Sequence, residues 1–131
     1  MCLYTKQIEP EIAEEDIICY KFYVRYDETL FSPYQESRAP EIGIITNTEL
    51  GKPHKLNNIY DLYYFKGVDK GFHSFKTLKG AEYEASRYKR NRDLVIFKCI
   101  IPRGSSYYKG IFNDRYKSYC SNSIKLIEIC V

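Results

Sequence analysis

The segment Leu94-Val95-Ile96-Phe97-Lys98-Cys99-Ile100-Ile101 limits the fold more than any other part of this chain. It is rich in β-branched and aromatic side chains, too short for a typical helix, and stopped by Pro102-Arg103-Gly104. A strand that is apolar on nearly both faces belongs in the middle of a sheet, because an edge or surface strand would leave one of those faces in water. Ile17 to Val24 has the same character and is expected to be a second central strand.

The remaining elements are shorter. Glu41 to Thr46, Phe72 to Phe75, Ser106 to Phe112 and Tyr119 to Ile129 read as strands. Tyr26 to Pro40 and Asn47 to Asn58 carry proline, glycine and asparagine without a period and read as loops, while Ile59 to Phe65 is apolar with no clear period. One helix stands out. Thr77 is placed to cap it, Leu78, Ala81, Ala85 and Tyr88 recur along one face, and Arg87 to Arg92 bring cations to its negative end. Small residues on that face suit close docking on a sheet. Strands dominating around one or two helices predict an α+β domain on a mainly antiparallel sheet, whole or split.

At 131 residues, 44% apolar and 28% charged, the chain is long enough for one domain with its own core, which excludes a disordered tail and a membrane span. Residues 1–16 read as an acidic leader and 17–131 as the single domain. The net charge of +3 conceals a division: residues 1–50 hold ten acids against four bases, and residues 51–131 hold seven against sixteen. Such a dipole either presents a basic surface to a polyanion or lets the acidic part fold back on the basic part. Five cysteines without a Cys-x-x-Cys pair, and a start without a cationic, apolar leader, predict a cytoplasmic protein with reduced thiols.

The order of elements after residue 70 resembles the second half of mono-ADP-ribosyltransferases. The residues that carry it are Gly71-Phe72-His73-Ser74-Phe75, the Thr77-capped helix bearing Ala81, the strand ending Ile101-Pro102-Arg103-Gly104, and the last strand entered through Tyr119-Cys120-Ser121. Small uncharacterised proteins of phages and gut bacteria with a Tyr-Lys strand and Gly-Phe-His are similar in the same features. The resemblance implies that Phe72 and Ser74 line a nicotinamide pocket, that Pro102 and Gly104 form the Pro-x-Gly turn, and that Lys21 or Arg25 stands for the first-strand cation. It also implies a late-strand glutamate, and Tyr119-Cys120-Ser121 carries no carboxylate there. The expectation is a degenerate transferase fold that binds a nucleotide-like ligand or a host partner protein through Lys21, Phe72, His73, Ser74 and Tyr119, without a catalytic residue.

Two rival readings remain. An unconventional active site would use His73, Lys21 and Tyr119. His73, flanked by Phe72 and Phe75, equally suits a core histidine bonded to backbone. A single-stranded nucleic-acid surface would use Arg87, Tyr88, Lys89, Arg90 and Arg92, supported by Tyr107-Tyr108-Lys109 and Arg115-Tyr116-Lys117, where cations alternate with stacking rings. Neither the two histidines nor the cysteines have metal-ligand spacing, and no cofactor motif is present, so none is expected.

Overall fold

The computed structural model describes residues 3–33, 38–54, 66–87, 93–112 and 116–130. Along these run β1 (Leu3–Thr5), β2 (Glu11–Ile12), β3 (Ile17–Tyr26), β4 (Thr29–Phe31), β5 (Thr46–Asn47), β6 (Lys66–Val68), β7 (Phe72–Phe75), α1 (Leu78–Arg87), β8 (Asp93–Ile101), β9 (Ser106–Phe112), β10 (Tyr116–Ser121) and β11 (Ser123–Ile129). The protein is an α+β domain dominated by antiparallel sheet, in the order β5-β11-β8-β3-β7-β10-β9-β1-β6, with β2 added to β9 and β4 to β3.

β3 and β8 pair along their whole length, from Ile17 opposite Ile101 to Arg25 opposite Asp93. Period-two alternation divides their side chains between two layers. Cys19, Tyr23, Val95, Phe97, Cys99 and Ile101 enter one core with Ile124, Leu126, Tyr107 and Tyr119. Phe22 and Ile96 face the other way and meet Phe75, Phe112 and the helix through Ala81 and Ala85. The apolar character of residues 94–101 thus follows from cover on both sides.

α1 begins where expected. The Thr77 hydroxyl accepts a hydrogen bond from the Gly80 amide at 3.1 Å, which satisfies one of the free donors of the first turn. Gly80 also sits against the Tyr116 ring, where an added Cβ would meet ring carbons at 3.2 Å. Tyr88, expected on the docking face, lies outside the described residues, as does the run from Ile59 to Phe65.

The sheet has two halves. Between β3 and β7 a single pair, Tyr20 opposite Phe75, joins them, and further along β3 its edge is taken by β4. On the other side the chain crosses from one half to the other at Asn122. The expected strand Tyr119 to Ile129 is therefore two strands: β10 pairs with β7 and β9, while β11 pairs with β8 and β5. Asn122 makes the corner by bonding Ser106 through both its amide N–H and its side-chain oxygen, and by accepting from Thr48 N. Strands that change sheet at such a bend build near-orthogonal sheet packings.

Two further expectations change. Glu41 to Thr46 is irregular up to Thr46, with one bridge from Ile42 to Leu126, because Gly43 turns the chain at φ +83°. Residues 1–16, expected as a leader ahead of the domain, supply β1 and β2. Leu3 and Ala13 are buried in two different cores, since β1 closes over β9 and β6, and β2 over the start of β9.

Candidate ligand groove and the seam of the sheet

The five residues singled out in the sequence gather where the halves part. Beyond the Tyr20–Phe75 pair the β3–β7 ladder stops, which leaves backbone groups of β7 without strand partners. Lys21 fills the gap: its Nζ donates to the His73 carbonyl at 2.5 Å and lies 5.5 Å from the centre of the Tyr23 ring. Burial pushes the Lys21 amine below the usual lysine range, against the opposing pull of the neighbouring thiols Cys99, Cys19 and Cys120.

His73 is 6% exposed. Its Nε2 lies 2.7 Å from the Asp69 carbonyl, which only accepts, so Nε2 carries the proton and donates. Nδ1 then presents a lone pair that is buried and has no partner among the described residues, as are the hydroxyls of Tyr23 and Ser74. Burial, with a lesser contribution from the Lys21 charge and against the bond to Asp69, lowers the imidazole to about 4 and keeps it neutral near pH 7. The core-histidine reading thus describes one of its nitrogens. Ser74 stands opposite Tyr119 in the β7–β10 ladder, and Phe72 packs at the rim of the inner core. At the Phe72 end a cavity of about 380 Å³ opens between Gly71, Asn47 and Arg38.

Tyr119 links this seam to an open groove. β9 and β10 turn Lys109, Ile111, Lys117 and Tyr119 to one face, with Lys117 opposite Ile111 and Tyr119 opposite Lys109. Lys76, just past β7, and Lys6, just past β1, close the sides of a cavity of about 550 Å³ floored by Gly110, Ile111 and Tyr119. All four lysines are exposed. Glu11 is the groove's acid: its carboxylate accepts from the Tyr107 hydroxyl at 2.8 Å and pairs with Lys109 at 3.4 Å. Tyr107 is accordingly pushed up to about 12, first by burial and then by its bond to Glu11. Gly110 is required beneath the floor, because a Cβ there would lie 2.0 Å from the Tyr4 carbonyl oxygen.

Lys6, Lys76 and Glu11 escape a reading of the sequence, because they come from three separate segments. The alternations Lys109-x-Ile111 and Lys117-x-Tyr119 are the local signal that two of the lysines share a strand face with apolar residues. Arg87 is exposed and pairs with Glu84 at 3.6 Å, while Tyr88, Lys89, Arg90 and Arg92 lie outside the described residues. Among the described residues no cluster of His, Cys, Asp or Glu is suited to a metal ion, and no helix is long and apolar enough to cross a membrane. Cys19, Cys99 and Cys120 are buried free thiols, and Cys130 is an exposed one. No family model matches this chain, and no curated protein and no solved structure is significantly similar to it.

Proposed function

We propose that this protein is a small cytoplasmic binding domain whose lysine-flanked groove takes an anionic, nucleotide-like molecule, with the split sheet as its scaffold. The observation that carries the reading is the groove itself. Its volume of about 550 Å³ suits a small ligand, four cations surround an apolar floor, and one acid opposes them. Phosphate groups would meet Lys76 and Lys117, with which no acid pairs among the described residues, and a ring would lie over Ile111 and Tyr119.

The resemblance to mono-ADP-ribosyltransferases supports a degenerate member of that fold. The place of its late-strand acid is held by Tyr119-Cys120-Ser121, and Glu11, the acid that does reach the groove, is already engaged by Tyr107 and Lys109. His73 is a poor general base for a groove ligand, since its free nitrogen is buried. A phage or mobile-element origin fits the small size and the resemblance, and there such a domain would sequester a nucleotide signal or obstruct a host factor.

Calorimetric titration with ADP, adenosine and pyrophosphate tests the reading. ADP is expected to bind most tightly, and Lys76→Gln with Lys117→Gln to weaken it at least tenfold, about 1.4 kcal/mol. Adenosine binding as tightly as ADP would remove the anion from the argument. A single-stranded oligonucleotide held firmly at about 0.15 M salt would transfer the groove to nucleic acid, because phosphate-directed binding weakens steeply with salt. Release of nicotinamide from NAD would restore the enzyme.

A further inference from the structure

Part of the acidic half of the charge dipole gathers beside the lysine groove. Glu14, Glu15 and Asp16, in the turn between β2 and β3, line a second concave surface with Glu11, Ile12 and Tyr107. Glu11 lines both surfaces, so the acidic and basic faces are neighbours. Among the described residues no cation pairs with Glu14, Glu15 or Asp16 in a salt bridge. Two large apolar side chains stand out of the same region, Ile8 at 77% exposure and Ile12 at 58%. β2 adds to β9 by one edge, and among the described residues the sheet order gives it no other neighbour.

From this juxtaposition we infer that two copies of the chain associate about a two-fold axis near Glu11, the acidic turn of each lying along the lysine groove of the other. A two-fold contact requires complementary patches side by side on one surface, so that each meets its counterpart when the second copy is turned over. Glu11 and the lysine groove on one side, and Glu14 to Asp16 on the other, meet that requirement. The Glu11 carboxylates near the axis are covered by Lys109 and the Tyr107 hydroxyl, which limits their mutual repulsion. Ile12 gives the contact an apolar centre to lay against Ile111 and Tyr119. Because its attraction is between exposed charges, the dimer is weak and salt-sensitive. The partner is a second copy, beyond the small ligand proposed above, and the two compete for the same lysines.

Sedimentation velocity on the intact protein reads this directly. At protein concentrations on the order of 100 µM a dimer is expected at about 0.02 M salt and a monomer at about 0.5 M, as the Debye length shortens. Glu14→Lys with Glu15→Lys should be monomeric in low salt, and so should Lys76→Glu with Lys117→Glu. Mixing these two variants should restore a dimer, since each substituted patch again faces one of opposite charge. A wild-type monomer in low salt, a mixture that stays monomeric, or growth past the dimer into larger species would each overturn the inference. The acidic-turn variant keeps all four groove lysines, so ADP titration on it reports the ligand reading separately. Its ADP affinity should equal or exceed that of the wild type.

Discussion

The seam and the groove are both built from polar residues that meet at Tyr119, yet they differ in access to water. In the seam, His73 and Ser74 are buried and Lys21 is half-buried, and their polar groups turn to the sheet: an amine on an orphaned carbonyl, an imidazole on the Asp69 carbonyl. In the groove, Lys6, Lys76, Lys109 and Lys117 are exposed. Residue type alone would rank His73 above Lys76 as a functional side chain. Burial reverses that order, because a buried polar group is a condition of folding and an exposed cation over an apolar floor is an offer to a ligand.

Substitutions should separate the regions by what they damage. The largest effect is expected for Ala81→Glu, which places a charge among Phe22, Phe75 and Ile96 on the helix side of the seam and should cost about 4 kcal/mol or more in urea unfolding. An unchanged midpoint would mean that the helix does not seal the sheet there. Gly110→Ala breaks the simple contrast, since it lies under the groove yet should destabilise by about 3 kcal/mol by driving a Cβ into the Tyr4 backbone.

The seam also carries a pH signature. His73 titrates near 4 folded against 6.5 unfolded, so between those values the unfolded chain binds more protons and stability rises with pH. The wild type should lose roughly 3 kcal/mol from this residue as pH falls from about 6.5 to about 4. Urea midpoints for His73→Gln over the same interval should fall less steeply; parallel curves would show that the imidazole is not held neutral. Thr77→Ala should cost about 1 kcal/mol through the lost cap, visible as a small drop in melting temperature. Smallest of all, Lys76→Gln with Lys117→Gln should move stability by no more than about 0.5 kcal/mol while weakening ADP binding, which is the contrast in its sharpest form.

What the sequence determined was local. The two central strands, the capped helix with its small docking face, the Pro-Arg-Gly stop and the predominance of sheet all rest on residues within a few positions of one another, where period and turn chemistry act. It also singled out Lys21, Phe72, His73, Ser74 and Tyr119; in the structure His73 and Ser74 are buried, Lys21 and Phe72 are half-buried, and Tyr119 floors the open groove. Tertiary structure decided where the sheet parts, that residues 119–129 turn a corner at Asn122, that the acidic first residues enter the sheet, and that Lys6, Lys76, Lys109 and Lys117 share a groove. The physical reason is distance along the chain. Pairings such as Leu3 with Val68 and Glu11 with Tyr107 are set by which edges remain open after the central strands have paired, and no periodicity within either segment records that.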